Sequence, residues 1–274
     1  MALTVPGRIP GTLFLRNLVE RRSLLFQLVR RDFEQRFVGS AAGWLWAVIH
    51  PLVLLLSYTF VFSICLKVPP PAGEGNHSYS LYLFAGLLPW WLFTDTVMRS
   101  SSSMLEHANL ITKTVFPAEV VPISVFLSAL ISHALALALA IAAIAVNENH
   151  ISPLLAVLPM YMALLGLFAV GVGWIASSLQ VYLRDTVQIV SVVLTFWFWL
   201  TPIFITEDMV PERLRFLIAG NPLAYAVRAY RQALLSYQAP DLRDFGILAL
   251  SATATFILGG LFFRHMKRGF ADVL

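Results

Sequence analysis

Six long stretches without any charged side chain constrain this chain more than any other feature of its sequence. They lack Asp, Glu, Lys and Arg and are 19 to 35 residues long, and they cover residues 37–66, 75–94, 120–147, 149–183, 186–206 and 245–263. A helix of ~20 apolar residues crosses the hydrocarbon core of a bilayer. We therefore predict six membrane-spanning helices, at about 44–66, 81–97, 120–146, 153–180, 187–205 and 245–263.

The composition supports a membrane protein and excludes several other classes. Hydrophobic residues make up 58% of the chain and charged residues 12%, against roughly 45–50% and 25% in soluble domains. The single cysteine, Cys65, cannot form a disulfide within the chain. The continuous apolar stretches also differ from the ~10-residue alternating strands of an outer-membrane barrel. The expected fold is therefore an all-α integral membrane protein with one domain.

The placement of the basic residues predicts which side of the membrane each loop occupies. With a cytoplasmic N-terminus, thirteen of the nineteen Lys and Arg residues fall on the cytoplasmic side, seven of them before residue 44. The two short loops on the other side then contain only Lys67. Because cytoplasmic loops of membrane proteins are enriched in Lys and Arg, we expect both termini in the cytoplasm, as six crossings require.

Two further regions are predicted to be helical without crossing the membrane. Residues 21–37 place apolar side chains at helical spacing with arginines between them, which is typical of an amphipathic helix in the membrane interface. Residues 206–240 are too apolar for a solvated loop, yet their arginines forbid a simple span. We predict that they form two short re-entrant helices in the outer leaflet, with a turn at the Asn-Pro pair 221–222.

The chain carries no recognisable catalytic or energising motif. It lacks the GxxxxGK[ST] loop that binds nucleotide phosphates, and it has no His or Cys cluster with metal-ligand spacing. The uncharged span centres disfavour an ion-coupled carrier, and no cluster of Asp or His indicates a membrane lipid enzyme. Asp95 and Arg99 are interpreted as an ion pair at a helix end. We expect no cofactor in this chain, no nucleic acid partner, and transport driven by another protein.

Six sequence motifs, in order along nearly the whole chain, resemble one protein family. They are LVRRDFEQRFVGSAAGWLWAVIHPLVLLLSYTFVFS at 28–63, LYLFAGLLPWWLF at 81–93, NLITKTVFPAEVVPI at 109–123, RDT at 184–186, NPLAYAVRAYRQALL at 221–235 and FADVL at 270–274. Together they resemble the membrane subunit of bacterial type-2 ABC exporters for polysaccharides, the permeases that export O-antigen, capsule or teichoic acid chains.

The resemblance implies an assembly and a substrate that composition alone does not. It implies a homodimer of this chain with two cytoplasmic ATPase subunits, which hold the ATP and Mg²⁺, in the bacterial inner membrane. The implied substrate is a polyprenyl-pyrophosphate-linked polysaccharide such as O-antigen, and residues 206–240 would form outer gate helices. An exporter of the same architecture for a small hydrophobic drug or lipid is the alternative that the sequence leaves open.

The resemblance assigns the cytoplasmic loop at 105–117 to coupling with the ATPase. This loop combines apolar residues with a proline stop, as expected for a short rigid helix that transmits movement from an ATPase. A plain interfacial connector would show the same pattern. The coupling residues expected in this loop and in the second cytoplasmic loop are Asn109, Leu110, Ile111, Lys113, Phe116, Pro117, Arg184 and Asp185.

Aromatic side chains on the second and fifth spans are candidates for the glycan path. An uncharged aromatic lining stacks on the apolar faces of sugars and lets a polymer slide, although aromatic residues also serve in interfacial belts and helix packing. The candidates are Trp90, Trp91, Phe93, Trp197, Phe198, Trp199 and Phe204.

Arginines near the membrane surfaces are candidates for binding the pyrophosphate or lipid headgroups. A guanidinium group binds phosphate in a bidentate manner, although simple snorkelling toward water is the alternative role. The candidates are Arg30, Arg31 and Arg36 on the inner side and Arg228 and Arg231 on the outer side.

Overall fold

The computed structural model describes residues 22–69, 78–113, 116–148, 152–204 and 207–273, and this part of the chain is mostly helical with no β-strand. We number its α-helices in chain order: α1 Arg22–Gln35, α2 Trp46–Tyr58, α3 Tyr79–Glu106, α4 Ala108–Lys113, α5 Val120–Glu148, α6 Leu158–Tyr182, α7 Thr186–Leu200, α8 Arg215–Ala219, α9 Pro222–Arg231, α10 Leu242–Met266 and α11 Phe270–Val273. Shorter 3₁₀- or π-helical segments lie at Gly43–Leu45, Thr59–Cys65, Pro153–Val157, Glu207–Met209, Glu212–Leu214, Gln232–Ser236 and Lys267–Gly269.

Five continuous helical segments in the described part are long and apolar enough to cross a bilayer. They are Gly43–Cys65, Tyr79–Glu106, Val120–Asn147, Pro153–Tyr182 and Leu242–Gly269. They overlap five of the six predicted spans, and the all-α membrane fold is confirmed. The remaining predicted span, 187–205, contains α7, an apolar helix of 15 residues. At a rise of ~1.5 Å per residue α7 is shorter than the hydrocarbon core, so the sixth crossing stays a prediction.

The core of the helix bundle is built around α3. In the most apolar window of this helix 78% of the residues are buried, compared with 11% in the first span and 17% in the last. The helices α5, α6, α7 and α9 pack around it. The outer faces of the bundle are apolar, with Leu56 and Phe196 exposed, as expected for helices that face lipid or another protein chain.

The central helix α3 continues to Glu106, well beyond the predicted end of the second span at residue 97. The serines that follow this point had favoured a polar loop. In the structure Ser101 Oγ donates a hydrogen bond to the Val97 carbonyl oxygen at 2.8 Å, and Ser103 Oγ donates to that of Ser100 at 2.7 Å. A serine that bonds its own helix backbone satisfies its hydroxyl without breaking the helix.

The helices α6 and α10 touch through their backbones at two glycines. A Cβ on Gly171 would lie 2.6 Å from the Thr255 carbonyl oxygen, and a Cβ on Gly259 would lie 2.8 Å from the Gly171 carbonyl carbon. Side chains larger than hydrogen do not fit at such distances. Small residues give membrane helices this close approach and the dispersion contacts that come with it, so these glycines fix the last span to the fourth.

Candidate transport site

The structure exposes only part of the predicted coupling segment. Asn109 is exposed and Leu110 is partly exposed. Ile111 and Phe116, in contrast, pack against a buried cluster of the same chain. Ile111 and Phe116 therefore help to hold α4 in place, while Asn109 and Leu110 are better placed to contact a partner.

The single helix predicted at 105–117 is divided in the structure. His107 leaves helical geometry, with φ −103° and ψ 14°, so that α3 ends before it and the six-residue helix α4 follows. Pro117 is buried and lies after α4, outside any helix. The side chain of Lys113 and residues 114–115 lie outside the described residues.

The second predicted coupling loop, between α6 and α7, is held by hydrogen bonds between the Gln180 side chain and backbone groups. Gln180 Nε2 donates a hydrogen bond to the Arg184 carbonyl oxygen at 2.9 Å, and the backbone N–H of Val187 donates to Gln180 Oε1 at 2.9 Å. These two bonds fix the turn between α6 and α7. The side chains of Arg184 and Asp185 are exposed at its tip, which suits the predicted contact with a partner.

Four charged side chains form an ion-pair network that joins α1 to α3. Arg36 Nη2 lies 2.9 Å from Asp95 Oδ2, and Arg99 Nη1 lies 3.6 Å from the same oxygen. Asp32 bonds Arg99 directly and lies 3.9 Å from Arg36 Nε. Arg36 Nη1 also donates a hydrogen bond to Ser132 Oγ of α5 at 3.2 Å. The network therefore fixes the amphipathic helix to two neighbouring helices.

Sequence reasoning found only half of this network. Asp95 and Arg99 were interpreted as a simple helix-end pair, whereas Arg99 also pairs with Asp32 of α1 and Asp95 with Arg36, the residue that follows α1. A signal was present, because Asp32 and Arg36 repeat the same acid-base spacing of four residues. When two such acid-base pairs face each other, each acid can also pair with the base of the other pair. Salt screens part-buried pairs of this kind less than exposed ones.

The inner arginines that were candidates for the pyrophosphate have different surroundings. Arg36 is held between carboxylates in the network and is mostly buried, which argues against a second anion there. Arg30 is exposed, with its Nε 2.7 Å from Glu34 Oε1. The hydrogen bond and the charge of Glu34 raise the pKa of Arg30. Arg31 is exposed, so Arg30 and Arg31 are the inner candidates that a headgroup can reach.

Most of the predicted aromatic path is packed inside the chain. Phe93 is fully buried, with its ring centroid 5.4 Å from that of Phe168 and 5.3 Å from that of Trp197. Trp90 is also buried, and its ring lies 5.3 Å from Phe198. These rings connect α3, α6 and α7, so their first role is to hold the helices together, and the structure argues against Phe93 as a lining residue.

Trp199 is the exposed member of the predicted aromatic set. Its side chain is 66% exposed, and its ring stacks on that of Phe204 with centroids 6.0 Å apart. Trp91 is partly exposed and lines a cavity of about 160 Å³ beside Asp95 and His133. Trp199, supported by Phe204, is therefore the best-placed aromatic side chain for contact with a sugar.

The turn between the two short outer helices is anchored by Asn221. The helices α8 and α9 lie on either side of it, at the turn that the Asn-Pro pair predicted. Asn221 Oδ1 accepts hydrogen bonds from Trp197 Nε1 at 2.9 Å and from the Leu223 backbone N–H at 3.1 Å. Its Nδ2 donates to Thr201 Oγ1 at 3.0 Å. The outer helices are thus fastened to the end of α7, and their position in the outer leaflet stays a prediction.

The two outer arginines that were candidates for the pyrophosphate are both engaged within the chain. Arg228 bonds Asp244 and lies 2.5 Å from Glu207 Oε1. Burial lowers the pKa of Arg228, but the hydrogen bonds and charges of these two carboxylates outweigh it, so its pKa is raised. Arg231 is only 5% exposed and bonds backbone carbonyls. These contacts argue against both arginines as pyrophosphate ligands.

A buried polar contact links the outer helices to α5. His133 Nε2 lies 3.0 Å from the Tyr230 hydroxyl, and both side chains are at most 5% exposed. Within the described ranges no three His, Cys, Asp or Glu side chains are grouped as a metal site would require. The polar contacts described here position the helices against one another. The exposed aromatic and apolar surfaces carry no charge, which suits the passage of a substrate.

Comparison with known proteins agrees with this arrangement. The family described as ABC-2 type transporter matches residues 23–235. The O-antigen export system permease protein RfbA of Klebsiella pneumoniae is 30% identical over 258 residues, covering 92% of this chain and 95% of that protein. RfbA of Myxococcus xanthus is 27% identical, over 94% of this chain and 98% of its own length. The polysialic acid transport protein KpsM of Escherichia coli is 21% identical, over 86% and 91%.

The described residues form an all-helical bundle with apolar helices long enough to span a bilayer, which is the architecture of an integral membrane protein. The chain belongs to the ABC-2 type transporter family, since the family match covers well over half of its length. The predicted family is thereby confirmed. The chain is a multi-pass membrane permease subunit of a transporter rather than an enzyme, and transporters of this family work with ATPase subunits.

Proposed function

We propose that two copies of this chain form the channel of an ABC exporter that moves a polyprenyl-pyrophosphate-linked polysaccharide of the O-antigen type across the inner membrane. Two cytoplasmic ATPase subunits supply the energy, and both termini of the chain lie in the cytoplasm. The observation that carries the proposal is the similarity to O-antigen export permeases along 92% and 94% of the chain.

The size of the cavities supports a path shared between two copies. Three cavities in the described part of the chain have volumes of about 160, 230 and 260 Å³. Pockets that hold even a drug-sized ligand are roughly 300–1,000 Å³. None of these three cavities has room for a polymer, which supports a glycan path formed between two copies of the chain.

The exposed face of α7 supports a role in lining that path or meeting the second copy. Val192, Phe196 and Trp199 are 70%, 68% and 66% exposed. They lie four and three residues apart and therefore share one face of the helix. This face is apolar, aromatic and uncharged. A surface of this kind lets a sugar chain slide without binding it tightly at any one point.

Deletion of the gene, followed by complementation, tests the proposed function. Without the chain, we expect lipid-linked polysaccharide to accumulate inside the cell and surface polysaccharide to disappear. Wild type and the control Leu110→Met should restore export, because the partly exposed side chain of the coupling helix stays apolar. Leu110→Asp should abolish export, because it places a charge on the face that meets the ATPase. The readouts are immunoblots of surface polysaccharide and of the lipid-linked pool.

The same strain decides between the glycan and the small-molecule alternatives. Normal surface polysaccharide in the deletion strain, together with lost efflux of a small hydrophobic compound, would overturn the polysaccharide proposal. Trapped polymer with unchanged sensitivity to such compounds would support it.

A further inference from the structure

Residues Phe270–Val273, from the FADVL motif, have no place in the proposed glycan path, yet they lie beside the coupling helix α4 and the end of α6. After α10 ends at Met266, the 3₁₀ turn Lys267–Gly269 redirects the chain, and the short helix α11 follows. This helix packs beside α4 and beside the end of α6. The segment Lys267–Val273 therefore lies between the coupling helix and the end of α6 that leads into the second loop.

The first set of contacts joins this segment to the coupling helix and its flanking residues. Phe270 is 1% exposed, and its ring centroid lies 5.6 Å from that of Phe263. Phe270 belongs to the buried cluster against which Ile111 and Phe116 pack. Lys267 Nζ adds an ion pair, 2.5 Å from Glu119 Oε2.

The second set of contacts joins the segment and the end of α10 to Tyr182, the last residue of α6 before the loop that carries Arg184 and Asp185. The hydroxyl of Tyr182 donates a hydrogen bond to the Met266 carbonyl oxygen at 2.9 Å. The Tyr182 ring lies 6.2 Å from that of Phe270. A Cβ on Gly269 would lie 2.6 Å from the Tyr182 hydroxyl oxygen, so the glycine allows this close approach.

We propose that the C-terminal segment Lys267–Val273 braces the coupling helix α4 against the α6–α7 loop, with Phe270 as the positioning residue, so that both loops move as one body when an ATPase subunit acts on them. This inference rests on the proposed function, because it requires an ATPase partner.

The length of α4 explains why it needs a brace. A six-residue helix does not hold its shape alone, since helices shorter than about 12 residues are marginal in water. Its orientation must therefore come from packing, and Phe270 is one of the buried residues of the cluster against which Ile111 and Phe116 pack. A loosely held α4 would move when the ATPase subunit acts on it without moving α3.

Transport per ATP hydrolysed, measured with the reconstituted complex, tests the proposal. Phe270→Ala should lower this ratio while ATP hydrolysis continues, and Phe270→Leu should restore most of it. The matched control is Tyr161→Ala, which removes an equally buried ring near the start of α6, at the other end of that helix from Tyr182. It should reduce thermal stability without changing the ratio. An unchanged ratio in Phe270→Ala would overturn the brace.

The ion pair gives a second test that does not depend on a core substitution. Lys267→Glu should lower the ratio by about twofold to fivefold, the range of a part-exposed pair. Exchanging both charges, as Lys267→Glu with Glu119→Lys, should restore it. Equal ratios in wild type, the single variant and the double variant would count against the proposal.

A distance measurement separates failure of the brace from failure of the proposed function. Spin labels on cysteines at Asn109 and Arg184, in a Cys65→Ser chain diluted with unlabelled copies, report the distance between the two loops. The distribution should be narrow in the wild type and broad in Phe270→Ala. Broadening with no glycan transport by the wild type would support the brace and reject the substrate, whereas identical distributions would reject the brace.

Discussion

The guanidinium of Arg231 lies over the ring of Tyr82, with its central carbon 3.5 Å from the ring centroid. Its Nε donates a hydrogen bond to the Tyr82 carbonyl oxygen at 3.3 Å. Its Nη1 and Nη2 donate to the carbonyl oxygens of Pro202 at 2.8 Å and of Ile203 at 2.6 Å. One side chain at the end of α9 thereby joins the outer part of α3 to the segment that follows α7.

This contact places the outer helices at one end of the helix whose other end leads into α4. A buried charge persists only when it is compensated, and Arg231 is compensated by carbonyl dipoles and an aromatic face. The central helix α3 thus contacts the coupling segment at one end and Arg231 near the other, which gives a direct structural route between the two.

Gly86→Ala should displace the Arg231 guanidinium. A Cβ at residue 86 would lie 2.6 Å from Arg231 Nη2, and moving the guanidinium away would stretch its hydrogen bonds to the carbonyl oxygens of Pro202 and Ile203. We expect a loss of about 1–3 kcal/mol, as for overpacked cores, together with reduced export. Thermal unfolding of the purified chain in detergent measures the first effect.

A double-mutant cycle provides the control for this substitution. In an Arg231→Ala chain the guanidinium is absent, so the added methyl group at residue 86 should cost much less. Residues in direct contact show such non-additivity. Equal costs of Gly86→Ala in both backgrounds would contradict the assigned contact.

Gly259→Ala should destabilise the packing of α10 on α6. The new Cβ would meet the backbone of Gly171, which cannot turn aside as a side chain can. We expect a loss of about 1–3 kcal/mol or more. The control lies on the same helix, because a Cβ on Gly246 meets nothing within 4 Å. Gly246→Ala should be neutral or stabilising by up to about 1 kcal/mol, and similar melting temperatures for both variants would refute this account.

The pair Arg36–Asp95 should show a larger coupling energy than the pair Arg30–Glu34. Both are ion pairs with donor–acceptor distances of 2.9 and 2.7 Å, but the first is part-buried and the second exposed. Double-mutant cycles with Arg→Gln and Asp→Asn or Glu→Gln should give about 1–3 kcal/mol for the first pair. The exposed pair should show little or no measurable coupling, because solvent and salt screen it. The unfolding midpoint in denaturant measures both, and a larger value for the exposed pair would exclude an anchoring network.

Phe93→Ala and Trp199→Ala should affect different properties. Phe93 is buried between rings of α6 and α7, so its removal should lower the free energy of unfolding by about 3–5 kcal/mol. Trp199 is exposed, so Trp199→Ala should leave stability nearly unchanged and lower glycan export. Melting curves and export assays on both variants check this. Unchanged export in a normally assembled Trp199→Ala transporter would remove Trp199 from the path.

The sequence by itself determined the helical membrane fold and the family. Membrane partition depends on the summed hydropathy of ~20 consecutive residues, which is a local property that a charge-free window displays directly. The Asn-Pro pair at 221–222 likewise marked the turn between α8 and α9, because turn chemistry acts over a few residues. The sequence missed the full length of α3, since serines within a helix can bond their own backbone.

Only the tertiary structure decided what the individual side chains do. Arg231 and Tyr82 are 149 positions apart, and Arg99 and Asp32 are 67 apart. Which distant groups meet depends on how the helices pack, and no local pattern records it. The same holds for exposure, because two residues of the same type, Trp90 and Trp199, are 6% and 66% exposed according to whether neighbouring helices cover them. The hydropathy of a segment is the sum of its own residues. The contact partners and the burial of a side chain depend on which surfaces the folded helices bring together.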